Sequence, residues 1–313
     1  MPVIGAPTTR AHFPAYAERN LRHHYLVGYN GSDPPLYPQL FSMDTMDEKI
    51  VREAVAAGLG TYPSAAEGSS ITYDSGQQFN SQSYTALTYR LGVEVTLEAI
   101  EDDIHGVVRA LTGAGKALGV TAKYTKERDA MAVFNTYLTS GTLFSVAGSN
   151  YALLSASHAL ADGSTWSNTP GGSPDLSYEA LEYAIAHWMA NQVDPRGLKT
   201  TSLPSVLLVG VSNWGMAHRV LKTYQRMPGS ANNDVNAVAD QFNIKPIVHK
   251  LLTDDGRWLL LAPQDPEYGI RYYDRIKPGV IAFPDSDTGN KRWVGRYRCV
   301  SGATHAFGTW GVS

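Results

Sequence analysis

Leu87-Thr88-Tyr89-Arg90-Leu91-Gly92-Val93-Glu94-Val95-Thr96 opens a stretch that runs on to Leu138, and the rest of the chain is arranged around it. Leu87, Tyr89, Leu91, Val93 and Val95 alternate with polar or small residues, the period of a strand with one buried face. At Thr96, a good N-cap, the period changes. Leu97, Ile100, Ile104, Val107, Leu111, Ala114, Leu118 and Ala122 recur at steps of three or four, with Glu98, Glu101 and Asp102 near the positive end of the helix dipole. The pattern predicts a helix roughly 40 Å long to Ala122, or about 60 Å if it continues to Leu138. A rod of that length suits an extended subunit better than a compact enzyme.

The 313 residues are enough for two or three sub-domains, and 43% hydrophobic content is ordinary for a folded chain. No apolar run reaches the length of a membrane span, so no membrane partner is expected. Met1-Pro2-Val3-Ile4-Gly5 lacks the regions of a signal peptide, and the single Cys299 allows no intrachain disulfide; both suit a protein made in a reducing cytoplasm. The 26 Lys and Arg are scattered against a net charge of −3, which speaks against a dedicated nucleic-acid binder.

Residues 1–43 carry Pro7, Pro14, Pro34, Pro35 and Pro38, which interrupt any regular element, with the isolated aromatics Phe13, Tyr16, Tyr25, Tyr29, Tyr37 and Phe41. That composition fits an arm ordered by lying on another surface, or equally an extension packed on its own domain. A short helix is expected over Asp44–Ala57, stopped by Gly58 and Gly60, then a strand at Ile71 and Tyr73. The polar segment Ser75–Ser83, with Gln77, Gln78 and Phe79, is expected to form the wet tip of a long hairpin returning at Tyr84. Thr142–Pro174, including Trp166, reads as a long loop. Ser177 is placed to cap a helix burying Leu181, Ala184, Ile185 and Trp188. Val206–Val211 reads as a buried strand, followed by a helix from Ser212 or Asn213 with Ala217, Val220, Leu221 and Tyr224 inward. Asp255-Gly256 between two apolar runs predicts a hairpin, and Val280–Phe283 with Trp293–Val300 predicts another.

Little here is catalytic. Thr112-Gly113-Ala114-Gly115-Lys116-Ala117 glances at a phosphate-binding loop but has Ala110 and Ala117 where Gly and Ser or Thr are required, and it lies within a helix. Small residues permitting close helix packing are the preferred explanation. Ser157, His158 and Asp162 offer a hydroxyl, an imidazole and a carboxylate, but no nucleophile-elbow motif accompanies them. No zinc or calcium motif is present. We therefore expect no enzyme activity, no cofactor and no metal. The acidic pair Asp102-Asp103 reads as a solvated face or as a contact to another subunit.

Three elements, an aromatic arm, a polar-tipped hairpin and a long loop, look incomplete in isolation. Ala66-Glu67-Gly68-Ser69-Ser70-Ile71-Thr72-Tyr73, Tyr89–Thr96 followed by Glu101-Asp102-Asp103, Leu153–His158 with Ser167-Asn168, and Asn233–Asn236 with Leu252–Asp254 and Trp258 stand in an order that resembles the major capsid proteins of tailed bacteriophages. The resemblance implies an α+β, Hong Kong 97-like fold. Its parts would be an N-terminal arm (1–49), an extended loop (50–92), a peripheral domain with a long spine helix (93–175 and 277–313) and an axial α/β domain (176–276). It implies a structural shell protein that forms hexamers and pentamers and closes an icosahedral capsid around double-stranded DNA, held only non-specifically. Scaffolding, portal and decoration proteins would be its partners, and the virion, assembled in the bacterial cytoplasm, its location. A long fused scaffolding segment is not expected, and the Lys and Asn positions of the covalent crosslink that some members form are not matched in this sequence. The residues expected at subunit contacts are Phe13, Tyr16, Tyr25, Tyr37, Gln77, Gln78, Phe79, Trp166, Asp102 and Asp103. The alternatives are an encapsulin-type compartment and a hydrolase using Ser157 and His158.

Overall fold

The computed structural model describes residues 13–31, 34–102, 104–146, 148–225, 235–284 and 290–312. In chain order they form α1 (Phe13–Asn30), a 3₁₀ turn at Tyr37–Gln39, β1 (Ser42–Thr45), β2 (Ile50–Ala57), β3 (Gln77–Thr85), β4 (Leu87–Val95), α2 (Leu97–Asp102) and α3 (Ile104–Asn135). There follow β5 (Phe144–Val146), β6 (Ser149–Tyr151), β7 (His158–Ala159), β8 (Thr165–Trp166), α4 (Tyr178–Asn191), β9 (Val206–Val209), α5 (Trp214–Lys222) and α6 (Ala237–Gln241). The last elements are β10 (Lys245–Val248), β11 (Trp258–Leu261), β12 (Ile270–Pro284), β13 (Lys291–Ala303) and β14 (Thr309–Val312). They divide into two compact units, residues 1–35, 86–128 and 274–299, and residues 36–85, 129–273 and 300–313.

In the first unit, β12, β13 and β4 lie side by side. β13 runs antiparallel to β4 with Trp293 opposite Val93 and Tyr297 opposite Tyr89; the strand read in Leu87–Val95 is present, with Tyr89, Val93 and Val95 half-buried, but Leu87 and Leu91, expected on the buried face, are 55% and 53% exposed. That face joins Leu21 and Tyr25 of α1 and Val107, Leu111 and Leu118 of α3 in one core with Val280 and Trp293. The 32 residues of α3 make a rod of about 48 Å. The expected N-cap is present: Ala99 N–H donates to Thr96 Oγ1 at 3.3 Å. Gly115 and Gly119 let α1 come close, because a Cβ at either would run into the backbone carbonyl of Leu21 or Tyr25. The apparent phosphate-loop motif is thus a helix-packing surface.

In the second unit the sheet order is β10-β9-β11-β14, with β10 and β9 parallel and the other pairs antiparallel. Every residue of β9, β11 and β14 is buried, which explains their unbroken apolar runs. Ser177 Oγ accepts from Ala180 N–H at 3.1 Å and starts α4, whose Leu181, Ala184, Ile185 and Trp188 enter the core with Trp258 and Trp310.

Several expectations are corrected. Residues 44–57 are two strands rather than a helix; Arg52, Ala54 and Ala56 alternate in the ladder with β3, and pairing outweighs helix propensity. The segment 13–30, read as irregular, is helical; Pro14 at the second position of α1 is compatible with a first turn. The loop is 58–76, so Ile71 and Tyr73 form no strand, and Gln77–Ser83 is strand rather than tip. β10 and β11 are not a hairpin, because β9 lies between them. Tyr224 is 84% exposed rather than inward. The closing strand β14 pairs with β11 and so belongs with the sheet expected to be axial, not with the peripheral part.

Candidate assembly interface

The β2–β3 ribbon leads into a loop whose apolar side chains stand open among the described residues. Its antiparallel register runs from Ile50 opposite Thr85 to Ala57 opposite Gln77, with a bulge at Val55 and Ala56. Glu53 fixes its base. Arg271 Nε donates to Glu53 Oε1 at 3.1 Å, while Tyr273 Oη at 3.2 Å and Thr304 Oγ1 at 2.8 Å donate to Oε2. Because the Thr304 hydroxyl gives its proton to Glu53, Tyr84 Oη, 2.8 Å away, must be the donor to Thr304 Oγ1. Burial drives the phenols of Tyr84 and Tyr273 above the ordinary tyrosine range, with the Glu53 charge adding to it, so both remain proton donors. Asn80 Nδ2 donates to the Thr304 carbonyl, and Phe79 lies against Phe307, 5.8 Å between ring centroids.

Beyond this anchor the loop 58–76 has no regular structure. Asp74 pins its neck, accepting from Gly60 N–H at 2.8 Å and from Arg196 Nη2 at 3.2 Å. The backbone bond from Gly60, then Arg196, hold the Asp74 carboxyl below the ordinary carboxylate range. Past the neck stand Tyr62 (99% exposed), Ile71 (75%) and Tyr73 (87%), with Leu59 exposed just before it. Grouped apolar side chains left this open are characteristic of interaction surfaces. The composition reading missed Leu59 and Tyr62 because Gly58, Gly60 and Pro63 marked only a turn; apolar residues between turn-formers were the available signal.

The expected contact residues divide by burial. Gln77, Gln78 and Asp102 are exposed. Tyr25, Tyr37 and Trp166 are 1%, 4% and 7% exposed, against the expectation: their surface is already covered by their own chain. Tyr25 stacks on Tyr29, Tyr37 meets Tyr272 at 4.7 Å and Trp166 stacks on Phe307 at 5.1 Å. Phe79, half-buried, also faces its own chain. Phe13 and Tyr16 lie in α1, but their side chains, like Asp103, fall outside the described residues.

The hydrolase reading fails on geometry. His158 Nε2 pairs with Asn168 Oδ1 at 3.2 Å, Asp162 accepts from Ser164, and Ser157 N–H donates to Ser155 Oγ. No relay links the three. Burial pushes the His158 imidazole down to about 4, keeping it neutral within an aromatic column of Phe144, Tyr151 and Trp166. Among the described residues no His, Cys, Asp or Glu group could hold a metal ion, and no helix is long and apolar enough to cross a membrane.

A long helix beside a β-sheet, an anchored ribbon with an uncovered loop and a separate α/β unit define the Hong Kong 97-like shell fold. Solved structures agree. The chain is similar to the capsid of a native GTA particle (10% identity, TM-score 0.54, covering 90% of this chain and 91% of that one) and to the capsid of the cyanophage P-SCSP1u (11%, 0.54, 89% and 87%). It is also similar to a virus-like particle from Pyrococcus furiosus (11%, 0.51, 94% and 98%). No curated protein matches the sequence. The family model for phage capsid protein matches residues 79–310, and the chain belongs to that family. It is a structural component of a capsid shell.

Proposed function

We propose that the chain assembles with copies of itself, as hexamers and pentamers, into an icosahedral shell that encloses phage double-stranded DNA. The uncovered loop 58–76 on its tightly fixed ribbon carries this reading: the anchor holds the ribbon in place, and Tyr62, Ile71 and Tyr73 then have a neighbouring subunit to cover them. Contacts of this kind, made head to tail, close by rotation into rings, and many weak contacts per subunit make the shell persistent. Scaffolding, portal and decoration proteins would share the assembly, which would take place in the bacterial cytoplasm. The domain boundaries at 49, 92, 175 and 276 belong to this proposal, amended for β14.

The test is assembly of purified protein followed by sedimentation and electron microscopy. Wild type is expected to give rings or closed particles. Tyr62→Ser with Ile71→Ser and Tyr73→Ser is expected to remain folded but fail to assemble. Full yield of particles from the triple variant would refute the loop's role. The same fold, seen in a virus-like particle as well as in phage capsids, also fits a second reading, an encapsulin-type compartment filled with protein. Particles from the native source that hold protein cargo and no DNA would select it.

A further inference from the structure

The lysines and arginines that look scattered in sequence are not scattered on the sheet of the first unit. Along β13, Trp293, Gly295, Tyr297 and Cys299 face inward, so Arg292, Arg296 and Arg298 share the outer face. Arg296 stands directly opposite Arg90 of β4, and Arg275 of β12 and Arg90 are close enough to Arg298 to repel it. Partial desolvation and then these neighbouring charges hold the Arg298 guanidinium below its ordinary value. Arg292, at the end of the strand, is neutralised by Glu94 at 3.1 Å. Among the described residues Arg90, Arg275, Arg296 and Arg298 form no ion pair; Arg298 Nη2 donates to the Ala86 carbonyl at 3.4 Å, while the Nε atoms of Arg296 and Arg298 have no hydrogen-bond partner there. Like charges directly across a ladder destabilise it, so the isolated chain carries a cost that a partner would remove.

The complementary charge lies in the same unit. Residues 98, 101, 102 and 103 are all acidic in sequence, and Glu98 and Asp102 of α2 have exposed side chains with no ion-pair partner among the described residues. The strand from Arg90 to Thr96 carries the chain about 20 Å from the arginines before α2 begins, which is more than two Debye lengths at physiological salt. The two patches therefore do not neutralise each other within one copy. Two complementary patches set apart on one subunit describe a heterologous contact, the kind that propagates around a ring.

We infer that the arginine face of the β12-β13-β4 sheet receives the acidic α2 segment of a second copy of this chain, with Arg90, Arg296 and Arg298 pairing Glu98 and Asp102. Planar guanidiniums match carboxylates two bonds at a time, which suits a contact that must fix register as well as attract. This rests on the self-assembly reading and names the partner of one of its surfaces.

The experiment is charge reversal with rescue, on the full chain, with wild-type assembly measured in parallel. Arg296→Glu with Arg298→Glu, and separately Glu98→Lys with Asp102→Lys, are each expected to raise the concentration needed for assembly at least about tenfold, the loss of one strong pair. The chain with all four changes is expected to recover. A milder variant, Arg90→Gln with Arg296→Gln, is expected to raise the melting temperature of the unassembled chain while weakening assembly, which separates misfolding from loss of contact. If wild type assembles but the four-fold variant is no better than the single reversals, the pairing is wrong. If the arginine variants assemble normally and lose only retention of a short DNA duplex, the occupant is nucleic acid and the inference falls. Failure of wild type itself to assemble would instead count against the shell reading.

Discussion

Glu53→Ala tests whether the ribbon's base is held by one carboxylate. The substitution removes the ion pair with Arg271, whose two side chains are 20% and 23% exposed, and two hydroxyl donors, Tyr273 and Thr304. Removing one partner of a fully buried pair costs about 3–5 kcal/mol, and exposure of one-fifth lets water screen part of that. Arg271 keeps a bond to Ser42 Oγ at 2.7 Å, which lowers the cost further. The expected loss is about 2–4 kcal/mol, and Glu53→Gln, which still accepts from the hydroxyls, is expected to lose about 1–2 kcal/mol. Urea unfolding of the unassembled chain, read by circular dichroism, measures both. Hydrogen exchange adds the location: the β2 and β3 amides should lose protection before those of β9 and β11. With Arg271→Met as the second change, a double-mutant cycle should show about 1–2 kcal/mol of coupling. A Glu53→Ala chain within about 0.5 kcal/mol of wild type, or unchanged protection of the ribbon, would show that strand pairing and Phe79 hold the base without the carboxylate.

The glycines of the false phosphate loop should separate by geometry: Gly119→Ala, whose Cβ would meet the Tyr25 carbonyl, is expected to lose about 1–3 kcal/mol, and Gly113→Ala, with nothing within 4 Å, to gain about 0.5–1 kcal/mol, both read by urea unfolding. His158 has its pKa lowered to about 4 in the folded chain, so the unfolded chain takes up the proton first; the stability this neutral imidazole supports is complete above about pH 6.5 and is lost as pH falls toward 4, by at most about 3 kcal/mol, and His158→Gln should flatten that slope in a pH series of melts. Asp274→Ala should destabilise by about 1–3 kcal/mol because it removes the carboxylate 2.7 Å from the ammonium of Lys126, which is 2% exposed, whereas Lys126→Met should cost less; equal losses in thermal melts would contradict a desolvation penalty.

What could be read from the sequence were the elements whose burial repeats along the chain. The strand at Leu87–Val95, the helix through Val107, Leu111 and Leu118, the Ser177 cap and the apolar run of β9 each carry their environment in local periodicity, and each is where expected. Residues 44–57 misled because Ile50, Val51, Ala54 and Val55 fit a helix face as well as a ladder, and the ladder is decided by Gln77–Thr85, twenty residues away. The hairpin at Asp255-Gly256 failed for the same reason: a turn signal shows that the chain reverses, not which strand it returns to, and β9 takes the place between β10 and β11. The contact residues were the hardest to foresee, since aromatic character does not distinguish a side chain buried at home from one reserved for a partner. Tyr25 and Tyr62 are the same residue type in segments both rich in turn-formers, yet one is 1% and the other 99% exposed. What separates them is Gly295 and the face of α3 that accept Tyr25, and the Asp74–Arg196 neck that holds the loop carrying Tyr62 away from regular structure. The charge pattern is the same lesson in reverse. Arg90, Arg275, Arg296 and Arg298 lie as much as 208 residues apart in sequence and become one patch only through strand register, so a surface that composition called dispersed is concentrated by the fold.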